Sequence, residues 1–150
     1  MKRFLIVIAA MLILLGGCGT AVTKPNTKNT ETAAAKIDVD LTQLSSTMVY
    51  SEVYNMLNKP DGYKGKTVKM NGAFSVYEDE STGKVYLACI IADATACCSQ
   101  GVEFELSGEH KYPDDYPELG SNITVTGTFG TYNEGEYTYC QLSDATLETA

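Results

Sequence analysis

The chain has 150 residues, of which 44% are hydrophobic, and its formal net charge is −8 at neutral pH. This length is enough for one domain with a hydrophobic core of its own. An acidic protein repels nucleic-acid phosphates, and no cluster of lysine and arginine residues follows Arg3. Composition and charge therefore argue against a nucleic acid as the partner.

Residues 1–17 have the order of a secretory signal peptide. Lys2 and Arg3 precede an unbroken apolar run, residues 4–15, which is shorter than the ~20 residues that a membrane-spanning helix needs. Two glycines then lead to Cys18, and this ending resembles the lipobox of bacterial lipoproteins. The resemblance implies that the mature protein begins at Cys18 and carries a diacylglycerol and palmitate anchor there. Such a protein is held at the extracytoplasmic face of the cell membrane. The alternative is an ordinary signal peptide in which the cysteine is coincidental.

The sequence predicts three segments: the signal peptide at 1–17, a flexible tether at 18–43, and a single domain at 44–150. The tether is rich in threonine, asparagine, lysine and alanine and has few large apolar residues. Such a segment cannot bury enough surface to offset the entropy lost on ordering. We therefore expect it to hold the domain away from the membrane.

One helix precedes a series of strands in the predicted domain. Apolar residues recur at helical spacing over residues 44–57, and Pro60 ends the pattern. Five strands follow, recognised by alternation or by adjacent hairpin turns. They are predicted at residues 66–78, 84–93, 101–106, 123–132 and 136–142. Residues 107–120 are expected to form an ordered excursion, with Tyr112 and Tyr116 in contact with the body of the domain.

The strand pattern resembles that of the OB-fold, a five-stranded and partly open Greek-key barrel. Residues 63–72, YKGKTVKMNG, look like the opening of many such domains, and residues 123–129, ITVTGTF, are similar to their fourth strand. Glycines inside the first and fourth predicted strands permit the bends that a small barrel requires. We therefore expect a mainly β domain, a five-stranded OB-like Greek-key barrel with one N-terminal helix. An open antiparallel sheet with one helix is the alternative.

A narrower resemblance rests on residues 91–104, IADATACCSQGVEF, followed by Tyr116 and Pro117. This segment resembles bacterial membrane proteins and lipoproteins with OB-like C-terminal domains, related to the YcgQ-like subunits that pair with YcgR-like permeases. The resemblance covers roughly residues 49–147. It implies a location in the cell envelope, with a membrane permease or another envelope protein as partner. The chain departs from those subunits because its sequence has no transmembrane helices.

The sequence gives little support to catalysis. His110 is the only histidine, and the chain has no G-x-S-x-G, P-loop, H-E-x-x-H or C-x-x-C motif. We therefore expect a non-catalytic binding or interaction module rather than an enzyme.

The cysteines are the residues best suited to chemistry. If Cys18 is lipidated, four thiols remain. They are Cys89, Cys97, Cys98 and Cys140. The OB arrangement places the second, third and fifth strands side by side, so these thiols are expected to lie on one side of the domain. Thiolates bind Zn(II) or Cu(I), and Asp93 or Glu103 would be the supporting oxygen ligand.

Three interpretations of the thiols remain open. They bind a soft metal, or Cys97 or Cys98 forms a disulfide with Cys89 or Cys140, or all four have only structural roles. We expect at least one of the adjacent pair to contact Cys89 or Cys140. The function that corresponds to metal binding is a soft-metal binding or delivery lipoprotein, and the one that corresponds to a disulfide is a thiol-redox protein. Structural thiols correspond to an OB-type binding lipoprotein.

Overall fold

Long strands make up most of the structure. The computed structural model describes residues 36–149, and it contains six strands. They are β1 (Val39–Asp40), β2 (Thr67–Asp79), β3 (Lys84–Ala92), β4 (Ser99–Leu106), β5 (Asn122–Glu134) and β6 (Tyr137–Thr149). One α-helix, α1 (Ser46–Asn58), and two short 3-10 helices, Leu41–Gln43 and Pro60–Gly62, lie between β1 and β2. No helix within this part of the chain has the length and apolar character needed to span a membrane. The prediction of a mainly β domain with one helix before the long strands is confirmed.

All six strands belong to one sheet, in which β2 has three neighbours. It pairs with β3 and β5 in antiparallel fashion and with the short β1 in parallel. The β3–β4 and β5–β6 pairs are antiparallel, whereas β4 and β6 run parallel. Met70 lies opposite Val125, so the predicted contact between the first and fourth long strands is confirmed. The predicted number of five strands was too small because β1 joins the sheet.

Alternation along the long strands directs every second side chain into the core. The fully or almost fully buried residues of β2 and β5 follow this spacing closely. They are Val68, Met70, Phe74, Ile123, Val125 and Phe129. The helix α1 adds Val53 and Met56, which are both fully buried. Burial of each large apolar side chain contributes about 1.5–3 kcal/mol, so this shared core accounts for much of the stability of the domain.

The domain begins earlier than the sequence predicted. Val39 lies opposite Val68 in the sheet, and Leu41 is fully buried in the core. Residues 39–43, which the sequence assigned to the tether, therefore belong to the folded domain, because Val39 pairs with β2 and Leu41 is buried. Residues 1–35, which include the predicted signal peptide and Cys18, lie outside the described residues.

The excursion between β4 and β5 packs against the domain through aromatic side chains. The ring of Tyr116 stacks on Phe74, with 6.0 Å between centroids and an interplanar angle of 5°. Tyr112 lies against Tyr116 at 6.2 Å and also packs against the core. Gly120 donates a backbone hydrogen bond of 2.8 Å to the carbonyl of Phe74. The predicted contacts of both tyrosines are confirmed.

Candidate functional site

A cleft lies between the β2–β3 hairpin and the β5–β6 hairpin. β2 pairs with β5 over residues 67–73; residues 74–79 of β2 then pair only with β3, and residues 129–134 of β5 pair only with β6. The cleft has a volume of about 750 Å³, and we call it the tyrosine cleft. Its lining comprises Ser75, Tyr77, Asp79, Thr82, Tyr86, Ala88, Ile90, Glu103, Glu134, Gly135, Glu136, Tyr137 and Tyr139.

The tyrosines of the cleft are placed by strand alternation. Tyr77 lies opposite Tyr86 across β2 and β3, with ring centroids 6.0 Å apart. On the other hairpin, Tyr137 and Tyr139 are two residues apart and therefore share a face. Tyr139 stacks on Tyr132 at 5.5 Å. Tyr77 and Tyr137 are 66% and 70% exposed, so two aromatic rims are available to a partner.

Glu134 joins the two hairpins. Its carboxylate accepts hydrogen bonds from Lys84 Nζ at 2.8 Å and from Tyr86 Oη at 2.7 Å. The same ammonium lies 4.6 Å from the ring centroid of Tyr86 and 5.4 Å from that of Tyr132. The hydrogen bond from Lys84 lowers the pKa of Glu134, and Glu134 in turn raises the pKa of Lys84. One lysine thus occupies a cradle of two aromatic rings and a carboxylate.

Glu103 lines the cleft and does not belong to the group formed by Asp93, Cys97 and Cys98. Its carboxylate accepts a hydrogen bond of 2.6 Å from Tyr132 Oη. Burial and this hydrogen bond raise the pKa of Tyr132. The sequence proposed Glu103 as a supporting metal ligand, but its position on β4, opposite Ala88, directs it into the tyrosine cleft.

The cleft has an acidic lining. It contains four carboxylates and no lysine or arginine among the described lining residues. The carboxylate of Asp79 accepts hydrogen bonds from Ser81 and Thr82, which lower its pKa to about 2. Asp79 and Glu134 therefore remain ionised at neutral pH. The remaining carboxylates belong to Glu103 and Glu136.

A second feature is the thiol turn, residues 93–98, which connects β3 to β4. Asp93 organises it: its carboxylate accepts hydrogen bonds from the backbone N–H groups of Thr95 and Cys97, both at 3.0 Å. The N–H of Asp93 donates to the carbonyl of Cys98 at 2.9 Å, which extends the hairpin beyond the strands. An aspartate that hydrogen-bonds to the backbone two residues onward is a common turn former, and it fixes this turn.

The thiol turn brings three potential metal ligands together. The sulfur of Cys97 lies 3.2 Å from a carboxylate oxygen of Asp93 and 3.5 Å from the sulfur of Cys98. One ligand atom from each residue lies within 4.8 Å of the others. The hydrogen bond from Cys97 lowers the pKa of Asp93, and contact with Cys97 raises the pKa of Cys98. Three of the predicted site residues are therefore neighbours on an exposed surface.

Cys89 and Cys140 do not belong to this group. Cys89 lies opposite Val102 and is fully buried, and burial raises the pKa of its thiol to about 12. Cys140 lies opposite Thr131, and partial burial raises its pKa. All four cysteines of the described region are free thiols, so none of the proposed disulfides is formed.

The expected contact between the adjacent cysteines and Cys89 required the turn to fold back over β3. Instead, Ala92 pairs with Ser99, and the hairpin continues straight into the turn. Cys98 then lies four residues before Val102 along β4, or about 13 Å at ~3.3 Å per residue. A disulfide requires Cα atoms ~4.4–6.8 Å apart, which this geometry does not allow.

Comparison with known proteins does not assign the chain to a family. No protein-family model matches the chain, and neither a curated protein nor a solved structure is significantly similar to it. The arguments on function therefore rest on the residues themselves.

Sequence reasoning missed the tyrosine cleft, although a signal was present. The chain has ten tyrosines and no tryptophan, and several tyrosines flank the two hairpin turns. Tyr137 and Tyr139 alternate with Thr138, a pattern that predicts one shared face. What the sequence does not reveal is that this face lines the same cleft as Tyr77 and Tyr86, because that depends on how the two hairpins are arranged in the fold.

Proposed function

We propose that the protein is a membrane-anchored, extracytoplasmic lipoprotein whose single domain is a non-catalytic binding module. The observation that carries this proposal is the tyrosine cleft. Its volume of about 750 Å³ lies within the range of ~300–1,000 Å³ typical of ligand sites. Aromatic residues are enriched at binding surfaces because they supply contact area at a low cost in conformational entropy.

The strand pairings support an OB-type barrel. Starting from β2, they lead through β3, β4, β6 and β5 and return to β2. The parallel pair in this series is β4–β6, which joins the third and fifth long strands. OB-folds bind ligands on the face of their second and third strands and through the loops that follow the first and fourth. Thr82, Gly135 and Glu136 of the cleft come from the corresponding loops of this chain.

The anchor and the location rest on the start of the chain. The apolar run at residues 4–15 and the glycines before Cys18 support export and lipidation. Two acyl chains hold a protein firmly at a membrane, because each buried methylene contributes about 0.8 kcal/mol. An envelope protein, such as a membrane permease, is then the class of partner that the cleft would meet.

Photocrosslinking in intact cells tests the binding function. A photoreactive p-benzoylphenylalanine is placed at Tyr137 on the cleft rim and, as a control, at Tyr54. Tyr54 is similarly exposed, at 54%, but lies on α1 outside the cleft. We expect a discrete crosslinked partner, identified by mass spectrometry, from position 137 and not from position 54. Identical crosslinks from both positions, or none from position 137, would contradict the proposal.

The thiol turn favours a second candidate function, the binding of a soft metal. Asp93, Cys97 and Cys98 offer one oxygen and two sulfur ligands within a small volume. Three protein ligands leave a fourth position of a zinc tetrahedron open, as a delivery protein that must release its ion requires. Adjacent cysteines are poorly spaced for one ion, which makes this the weaker of the two candidates.

Elemental analysis separates the metal function from the others. The purified lipoprotein is equilibrated with zinc, and bound metal is counted beside free thiols. We expect about one zinc per chain, lost in the Cys97→Ser and Cys98→Ser variants. Cys140→Ser is the matched control and should retain the ion. Equal binding by all variants would show that the turn is not the metal site.

A further inference from the structure

We propose that the tyrosine cleft binds a basic segment of a partner protein, with a lysine or arginine side chain held between its aromatic rims. This inference rests on the proposed binding function and specifies the chemistry of the partner.

Charge complementarity is the first support. Four carboxylates line the cleft, those of Asp79, Glu103, Glu134 and Glu136; only Glu134 is paired with a lysine, Lys84, which lies outside the described lining. The chain as a whole is also acidic, with a net charge of −8. Such a cleft repels phosphates, anionic lipid headgroups and acidic peptides, and it attracts cations.

The chain's own Lys84 is the second support. Its ammonium lies over the rings of Tyr86 and Tyr132 at 4.6 Å and 5.4 Å and pairs with Glu134 at 2.8 Å. Attraction of a cation to an aromatic face, strengthened by a carboxylate, is an established mode of recognition. Glu134 and Tyr86, which line the cleft, therefore already hold one basic side chain of the protein itself, although Lys84 lies outside the cleft lining. Tyr77, Tyr137 and Glu136 also line the cleft, and among the described residues none of the three has a lysine or arginine partner.

The dimensions of the cleft favour a protein segment over a free amine. A volume of about 750 Å³ suits a ligand of drug size, and a single ammonium group would leave most of it uncovered. The exposed rims, Tyr77 and Tyr137, are of the residue type that most often dominates protein–protein binding energy. A short extended segment would cover both rims while its basic side chain meets the carboxylates.

Binding of defined peptides to the full-length lipoprotein in detergent tests the proposal. The probe is an acetylated, amidated peptide Gly-Lys-Gly-Arg-Gly, and its matched control carries norleucine and glutamine in place of lysine and arginine. Tyrosine fluorescence reports binding, since the chain has no tryptophan. We expect saturable binding of the basic peptide, weakened by salt, and no saturation with the neutral peptide.

Variants locate the binding. Tyr137→Ser and Glu136→Gln should each raise the Kd of the basic peptide at least about threefold, as expected for loss of one exposed aromatic or charged contact. The matched controls, Tyr54→Ser and Glu148→Gln, change exposed residues outside the cleft and should leave the Kd unchanged. Free spermine is a further arm, and we expect it to bind more weakly than the peptide.

Three results would overturn the inference. They are equal binding of the neutral peptide, a Kd unaffected by both cleft variants, and tighter binding of spermine than of the peptide. Failure here is distinguishable from failure of the binding function itself. If the crosslink from position 137 identifies a partner segment without lysine or arginine, the binding function stands and the basic segment is wrong. If position 137 gives no crosslink, the binding function fails as well.

Discussion

At the scale of single residues, the four cysteines occupy very different environments. Cys89 is fully buried, whereas Cys97 and Cys98 are exposed on the thiol turn. Only a thiolate reacts readily with alkylating reagents, so both burial and a raised pKa protect a cysteine. Position in the fold should therefore decide how quickly each thiol reacts.

Alkylation with iodoacetamide at about pH 8 tests this order in the native protein. We expect the two exposed turn cysteines to react first, with Cys98 slowed by its raised pKa, then Cys140, and Cys89 only after unfolding. Burial raises the pKa of Cys89 to about 12 and also raises that of Cys140. Mass spectrometry of the peptides gives the rate at each position. Early labelling of Cys89 in folded protein would contradict the structure.

Tyr63 provides a prediction for alkaline pH. Its hydroxyl donates a hydrogen bond of 2.7 Å to Glu52, which together with burial raises the pKa of Tyr63 to about 12. The folded state therefore favours the protonated phenol. This contribution to stability is fully present below the pKa of an unfolded tyrosine, about 10, and is lost as the pH rises through about 12.

The phenolate absorbance of the protein, compared with that of Tyr63→Phe, gives the titration of this one residue. We expect Glu52→Gln to lower its midpoint, because the hydrogen bond to the carboxylate is the largest cause of the shift. An unchanged midpoint in Glu52→Gln would show that the hydrogen bond does not control the titration.

The predicted cysteine site shows how far residue types alone can lead. The sequence named Asp93, Cys97 and Cys98 as candidate ligands, and the structure brings these three together because a short turn keeps its residues close. The sequence misplaced Glu103 and Cys89 relative to that turn. Their distances from the turn depend on whether the β3–β4 hairpin folds back or continues straight. The pairing of the two backbones decides this, and it cannot be read from the residue types.

At the scale of elements, Gly72 allows β2 to pack closely against the neighbouring strand β3. A Cβ atom at this position would meet the backbone carbonyl oxygen of Ile90 and lie 2.9 Å from the sulfur of Cys89. Atoms of the neighbouring strand β3 therefore leave no room for a side chain at Gly72, and one of them belongs to the backbone, which cannot move aside easily. The glycine that the sequence interpreted as a bend is required by close packing.

Gly72→Ala should lower the free energy of unfolding by about 1–3 kcal/mol, the usual cost of overpacking a core. Gly130→Ala is the matched control on β5, since a Cβ there meets no atom within 4 Å. It should change stability by no more than about 0.5 kcal/mol. Chemical denaturation of both variants gives the comparison. Equal free energies of unfolding for the two variants would indicate that β3 can shift to make room for the added Cβ atom at position 72.

The strands also show which elements a sequence can reveal. Alternation identified β2 and β5 because one face of each is apolar. The last strand was predicted to end at Leu142, whereas β6 continues to Thr149. Asp144 adopts a positive φ of 49°, and the pairing with β5 shifts register nearby. A bulge of this kind changes which residues face inward, so the alternation that marks a strand is interrupted.

At the scale of the whole molecule, lipidation of Cys18 is the prediction that places the protein in the cell. Cys18→Ser should abolish the added lipid mass and leave an unprocessed precursor, because the modified thiol is needed before the signal peptide is cut. Mass spectrometry and fractionation of membranes measure both effects. Cys140→Ser is the matched control and should be processed like the wild type. Normal processing and membrane retention of Cys18→Ser would contradict the prediction.

The short strand β1 marks the point at which the chain enters the sheet. The chain joins the sheet where Val39 lies opposite Val68, near the start of β2. Tyr77 lies nine residues further along the same strand, a distance of up to about 30 Å at ~3.3 Å per residue. The chain therefore enters the sheet near one end of β2, and Tyr77 lies toward the other end. A partner that reaches Tyr77 need not pass the point at which the chain enters the sheet.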